Sequence, residues 1–184
     1  MKRILFFLCV ALSLNVNAQN LGKKYDFLNT IAERIPTKSG VPFYDTTVKL
    51  SKEFDKDKIE NNISYFFANV FGSDMVKKNG KSSYLASGAY SFVLENSNED
   101  PYNVTYWFEI SYKDGRFDIT MHDFQVTHNS ITIDLKKKME GAAKTDNLAK
   151  HILANLHAYN VETQRKAIRV ISSSTAEALA TAGR

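Results

Sequence analysis

Four residues of one predicted β-hairpin combine an aromatic surface with titratable side chains. Trp107 and Glu109 occupy outward positions of one strand, and Asp118 and His122 occupy outward positions of the next. A tight turn at Asp114-Gly115 places Trp107 opposite His122, with Glu109 diagonal to it. His122 oriented by Glu109 would be a general base beside an aromatic platform. Because no nucleophile or oxyanion donor accompanies them, an ordinary solvated sheet face is the alternative. We assign these four as candidate ligand-binding residues and assign no catalytic residue.

The other titratable residues are not spaced as the ligands of a metal ion or a cofactor would be. His151 and His157 are six positions apart on a predicted helix, so they point in different directions and do not form an i, i+4 metal pair. Asp55 and Asp57 resemble the start of a calcium loop, but the loop glycine and terminal glutamate are missing, and helix capping explains these acids better. The sequence therefore predicts no metal site and no cofactor.

The charge distribution limits the classes of partner. The whole chain carries 24 basic and 20 acidic residues, a balance that does not indicate a nucleic-acid-binding protein. Residues 136–184 are locally basic, with nine Lys or Arg against four Asp or Glu, beginning at Lys136-Lys137-Lys138. This basic tail suggests weak contact with an anionic membrane surface or an acidic protein. A solvated helix face that complements an acidic body is the simpler alternative.

Tyrosines dominate the predicted inner face of the sheet. Tyr84, Tyr90, Tyr106 and Tyr112 all fall on the same face as the apolar strand positions. Buried tyrosine hydroxyl groups need hydrogen-bond partners. The tyrosines therefore either line a cavity for a small apolar ligand beneath a C-terminal helix, or they complete a packed core and reach water at its edge.

The N-terminal sequence indicates export. Residues 1–18 have the form of a signal peptide, with a basic start at Lys2-Arg3, a short apolar run, and Val16-Asn17-Ala18 before the cleavage point. Cleavage would remove Cys9, the only cysteine of the chain, and with it any disulfide or thiolate chemistry. We expect an exported protein of the periplasm or the extracellular space, with no transmembrane span.

The remaining elements follow from hydrophobic periodicity. Residues 19–42 form an N-terminal segment with a short helix, residues 43–134 form an α/β core, and residues 135–184 form a C-terminal helical segment. The core is expected to contain one long helix at 55–71, with an aromatic stripe, and five strands: 43–50, 74–78, 84–95, 104–112 and 117–126. The alternation slips near Asp123, which predicts a β-bulge. In the tail, Leu148 is expected on the buried face of a first helix, and Asn160 is expected to cap a second.

Several short segments resemble one bacterial family. They are Val48-Lys49-Leu50, Tyr65-Phe66-Phe67-Ala68, Lys113-Asp114-Gly115-Arg116-Phe117 and Thr120-Met121-His122-Asp123-Phe124. Over roughly residues 44–130 they are similar to an exported family catalogued as a domain of unknown function with a TATA-binding-protein-like (TBP-like) fold. The resemblance implies an α+β, helix-grip architecture in which helices cover one face of an antiparallel sheet. It brings no catalytic motif, and a fold alone does not define a function.

Three hypotheses about function follow. The first is an exported, non-catalytic module that binds an envelope protein or a small apolar ligand. The second is an envelope hydrolase that uses His122, Glu109 and Asp118, which requires a pocket enclosing these side chains. The third is a structural or assembly role in which the C-terminal tail docks a partner.

Overall fold

The computed structural model describes residues 26–50, 55–72, 76–78, 82–94 and 99–173. The predicted signal peptide and residues 174–184 lie outside this part of the chain. None of the helices in the described part is long and apolar enough to span a bilayer.

The element order is mixed α+β, as predicted. The helices are α1 Ile31–Arg34, α2 Lys56–Val70, α3 Leu135–Ala142 and α4 Asn147–Ile171. The strands are β1 Thr37–Lys38, β2 Val41–Pro42, β3 Tyr44–Lys49, β4 Val76–Lys78, β5 Ser83–Phe92, β6 Tyr102–Lys113, β7 Arg116–His128 and β8 Ile131–Ile133. The sequence pattern did not predict the small β1–β2 sheet or β8, and it gave α3 only as part of a helical segment at 135–184.

One antiparallel sheet organises the molecule. Its strands run in the order β3-β7-β6-β5-β4, and β8 pairs with the end of β7. The predicted β6–β7 register is confirmed, since Ile110 lies opposite Ile119 and Phe108 lies opposite Met121. Apolar residues therefore meet apolar residues across the hairpin, and all of them project to the inner face.

Helix α2 covers part of that inner face. Asp55 caps the helix by accepting a hydrogen bond from the Asp57 backbone N–H at 2.6 Å. Phe66 and Phe67 are almost fully buried, and their ring centroids lie 5.4 and 5.7 Å from that of Phe108 on β6. The predicted aromatic stripe of this helix is thus the contact between helix and sheet.

Helix α4 covers the rest of the inner face as one continuous element. Asp146 caps it by accepting from the Ala149 N–H at 2.9 Å. Two expectations were wrong: Leu148 is exposed, and Asn160 is a fully buried residue in mid-helix rather than a cap. Twenty-five helical residues without a break exceed what the local pattern predicted, because Asn160, Thr163 and Gln164 are buried although their polarity suggested an interruption.

The predicted bulge lies in the middle of β7. Thr105 pairs with Gln125, but Trp107 pairs with His122, so β7 contains one more residue than β6 between these pairs. Asp123 takes up this residue with a φ of 53°, in the left-handed region. The bulge allows apolar residues on both sides of Asp123 to stay on the inner face.

Candidate functional site

The four predicted site residues lie on the outer face of the sheet. Trp107 is directly opposite His122, as expected, and Glu109 and Asp118 occupy outward positions on the same two strands. Trp107 gives this face an exposed apolar surface, since 37% of this large side chain is exposed. The polar alternation of β6 and β7 was therefore sufficient to place these residues on one face.

The structure gives each titratable side chain a local partner. His122 Nδ1 lies 3.0 Å from a carboxylate oxygen of Asp123, its neighbour in the bulge. The hydroxyl of Ser83 donates to Glu109 at 2.7 Å, and the hydroxyl of Thr47 donates to Asp118. The expected orientation of His122 by Glu109 was wrong, because the bulge brings a different carboxylate to the imidazole. These contacts do not assemble the constellation that a hydrolase would need.

The conformation of Asp123 is one that residues other than glycine rarely adopt. Non-glycine residues with positive φ are uncommon, and they cluster at sites where the surrounding structure holds them in place. Asp123 has a φ of 53°, and 74% of its side chain is exposed. The strained backbone thus presents a carboxylate to solvent beside Trp107 and His122.

A cleft of about 600 Å³ opens beside this bulge on the outer face. Its floor is the sheet, with Ser87 from β5, Thr105 and Trp107 from β6, and Gln125 from β7. Ser87 pairs with Trp107 and Thr105 pairs with Gln125, so these side chains form two adjacent cross-strand rows. Of the four predicted site residues, the cleft takes in Trp107 alone.

Segments outside the central strands contribute the apolar part of the cleft. Val41 and Pro42 of β2 and Leu135 at the start of α3 line it. A Cβ atom on Gly40 would lie only 3.5 Å from Cε of Lys136, so the start of α3 lies against the β1–β2 hairpin. These two segments are far apart in sequence, and together they turn a flat sheet face into a concave surface.

An aromatic stack supports the cleft from the side of β3. The ring of Phe43 stacks on His122 with centroids 6.3 Å apart, and Nζ of Lys38 lies 4.9 Å from the centroid of the Phe43 ring. A cation over an aromatic face is attracted by the ring quadrupole. This stack holds His122, and through it Asp123, at one edge of the cleft.

The chemistry of the cleft is that of binding. Its lining offers hydroxyl, amide and indole groups with a single carboxylate, and Tyr106 and Phe124 add aromatic surface beside the bulge. Concave sites with a few convergent polar groups and an aromatic surface are typical of small-ligand sites. Within the described residues, no three His, Cys, Asp or Glu side chains come together in a way that could hold a metal ion.

Part of this lining had a signal in the sequence. Ser87, Thr105 and Gln125 occupy outward positions of predicted strands next to Trp107, so the alternation would have allowed them to be named. Val41 and Pro42 had no such signal, because they lie in a strand that the pattern did not predict. Leu135 begins the predicted helical segment at 135–184, but nothing in the pattern placed it beside the sheet.

Two solved structures share this architecture. One is a TBP-like protein from Parabacteroides distasonis, with a TM-score of 0.55, 17% identity, and coverage of 74% of this chain and 98% of that one. The other is a DUF4468 family protein from Bacteroides ovatus, with a TM-score of 0.52, 9% identity, and coverage of 72% and 89%. The chain has a TBP-like fold. No protein-family model and no curated protein matches the sequence.

The comparison confirms the fold that the sequence resemblance implied. Both matched proteins are covered over most of their length, so this TBP-like fold corresponds to nearly the whole of each. Their names state no ligand and no reaction, and identities below a fifth transfer the fold alone. The function must therefore be argued from the residues of this chain.

In this TBP-like fold, tyrosine rings fill the space between the sheet and the terminal helix near the bulge. Tyr159 of α4 stacks on Tyr90 with ring centroids 3.5 Å apart, and its hydroxyl accepts from that of Tyr106 at 3.5 Å. Burial raises the pKa of Tyr90 and of Tyr106. Packed rings at this position favour the core interpretation over the apolar ligand cavity.

Polar groups from α4 complete this inner cluster. His157 Nδ1 lies 3.3 Å from the hydroxyl of Tyr44. Burial and the nearby Arg34 lower the pKa of His157, and burial raises the pKa of Tyr44. The amide of Asn160 is close enough to Tyr44 to oppose that rise, although neither of its polar atoms makes a hydrogen bond of good geometry. Neutral forms of these groups are therefore favoured in the folded protein.

Several basic side chains of the tail have acidic neighbours. Lys137 lies 3.7 Å from Asp134, and Lys138 lies 3.3 Å from Asp146. Both carboxylates cap helices, and the capping hydrogen bonds lower the pKa of each. These acids lie in or next to the tail itself, so the pairs are local and do not test whether the tail complements an acidic body.

Proposed function

We propose that this protein is an exported, non-catalytic module that binds a ligand or a partner in the cell envelope through the outer cleft over Trp107. The single observation that supports the proposal is the concave surface itself. Its sheet floor carries an exposed indole, and two sequence-distant segments close over it. Clefts of this kind, roughly 300–1,000 Å³ in volume, are where proteins hold small ligands.

The architecture of the cleft adds to this argument. Asp123 keeps an unfavourable backbone conformation at its edge, and a stack of Phe43 and His122 supports that residue. Bulges often re-aim side chains next to functional sites. The bulge thus places an exposed carboxylate at the edge of the cleft, in addition to keeping the apolar phase of β7.

The location in the envelope rests on the N-terminal sequence. Residues 1–18 have the three parts of a signal peptide. Mass spectrometry of the protein from fractionated cells tests this directly. We expect a mature N-terminus at Gln19 in the exported fraction, whereas a full-length chain retained in the cytoplasm would contradict export.

Trp107 makes binding simple to detect, because it is the only tryptophan of the chain. Protein labelled with 5-fluorotryptophan should give one fluorine NMR resonance. We expect this resonance to shift when either the small-molecule or the protein fraction of a cell-envelope extract is added. An unchanged resonance with both fractions would contradict the proposal.

Two variants localise the effect. Gln125→Ala alters the cleft floor and should reduce the shift. Tyr65→Ala is the control away from the cleft, since Tyr65 has the same 37% exposure as Trp107 but lies on α2. Equal losses in both variants would mean that the shift does not report on the cleft.

A further inference from the structure

We propose that the ligand of the cleft is a short, uncharged saccharide, held between the indole of Trp107 and the hydroxyl and amide groups of Ser87, Thr105 and Gln125. This inference rests on the proposed function and specifies its ligand class. The observation behind it is the juxtaposition of one exposed aromatic side chain with three neutral polar side chains, arranged in two adjacent cross-strand rows.

The lining matches the chemistry of a sugar ring. A pyranose has C–H groups that pack against an aromatic face, and it has hydroxyl groups that both donate and accept hydrogen bonds. Thr105 and Ser87 carry hydroxyls with the same dual capacity, and Gln125 adds an amide donor and an amide acceptor. The indole and its polar neighbours lie on adjacent strands, so one ring can contact both.

The lining does not suit the other common ligand classes. An anion would meet the carboxylate of Asp123 with no Lys or Arg in the lining to oppose it. A cation would find that one carboxylate already 3.0 Å from His122. A purely apolar ligand, which the sequence suggested for an inner cavity, would leave the polar floor without hydrogen-bond partners.

Asp123 has a defined role in this site. Its exposed carboxylate accepts hydrogen bonds only, and sugar hydroxyls are donors that match it. The positive φ of the bulge and the contact with His122 hold the carboxylate beside the cleft. An acceptor fixed before the ligand arrives loses little side-chain entropy on binding.

The test uses defined probes with the full-length mature protein. Maltose, cellobiose and N,N′-diacetylchitobiose are the uncharged saccharides, and decanoate and tryptamine represent the apolar anion and the aromatic cation. Each is added at ~10 mM, ten times a millimolar Kd. We expect at least one saccharide to shift the fluorotryptophan resonance and to show saturation transfer from the protein to its C–H protons.

A matched pair of variants removes one hydroxyl at a time. Thr105→Val removes a hydroxyl of the cleft floor and should weaken saccharide binding about fivefold, the value of one ordinary hydrogen bond. Thr127→Val makes the same change on the outer face outside the cleft lining and should leave binding unchanged. Equal weakening by both variants would overturn the assignment.

The outcomes separate this inference from the proposed function. If decanoate, tryptamine or an envelope protein shifts the resonance and no saccharide does, the saccharide assignment is wrong and the binding module stands. If neither the saccharides nor the envelope extract shifts it, both proposals fail.

Discussion

Gly88 is the residue whose substitution tests the inner packing most directly. It lies opposite Tyr106 in the β5–β6 pair, and the tyrosine ring covers it. A Cβ atom at this position would lie 2.3 Å from Cζ and 2.7 Å from Cε1 of that ring. Because ordinary carbon contacts are ~3.5–4.0 Å, the ring or the strand would have to move.

The ring has little room to move. Only 2% of Tyr106 is exposed, and its ring contacts those of Tyr90, Phe124 and Tyr159. Overpacking a filled core costs about 1–3 kcal/mol. The lower chain entropy of alanine in the unfolded state offsets only about 0.4–1 kcal/mol of this. For a contact this short we expect Gly88→Ala to lower the free energy of unfolding by about 2 kcal/mol.

Urea denaturation measures this change. With a slope of ~2 kcal/mol/M, the unfolding midpoint should fall by about 1 M. The same substitution in a Tyr106→Leu background should cost at least ~1 kcal/mol less, because the coupling between neighbours is then removed. A stabilising effect of Gly88→Ala, or an equal cost in both backgrounds, would refute the reasoning.

Two further predictions concern buried polar groups. Asn62 donates to two carbonyl groups at the end of α4, so Asn62→Ala should lower the free energy of unfolding by about 2 kcal/mol, as measured by urea denaturation. Asn61 is the exposed neighbour, and Asn61→Ala should leave this free energy nearly unchanged. Equal losses in the two variants would contradict the role of Asn62. His157 has a lowered pKa, so the unfolded chain binds a proton at higher pH, and stability should fall as the pH drops below ~6.5. His157→Gln should flatten this pH dependence and His151→Gln should not; an unchanged slope in the first variant would show that another group is responsible.

The structural role of Asn62 could not be predicted from the sequence. By residue type, Asn62 would be expected with Lys58 and Asn61 on the face of α2 opposite its aromatic stripe. In the structure it is buried and donates at 3.1 and 3.0 Å to Ile171 and Ser173. Periodicity could not reveal this, because the partner is the end of a helix more than a hundred residues later.

For a similar reason, the sequence predicted only part of the cleft lining. Alternation placed Trp107, Glu109, Asp118 and His122 on one outer face, and the pairing across the Asp114-Gly115 turn was confirmed. Whether one of these four residues lines a cleft depends on whether another segment of the chain packs beside it on the outer face. That is a long-range property, and of these four residues only Trp107 lines the cleft that such segments form.

The sequence by itself determined the sheet and its two faces. A period of two assigns each side chain of a strand to one face, and a two-residue turn sets the register of the hairpin. The aromatic stripe of α2 and the N-cap residues Asp55 and Asp146 were likewise local signals. Each of these depends only on residues close together in the chain.

The tertiary structure alone decided the cleft, the pairing of His122 with Asp123, and the burial of Asn160. Val41 and Leu135 meet near Trp107 although nearly a hundred residues separate them. The backbone twist at the bulge selects the carboxylate that His122 contacts. Local periodicity states which face a side chain occupies, but the packing of distant segments decides what covers that face.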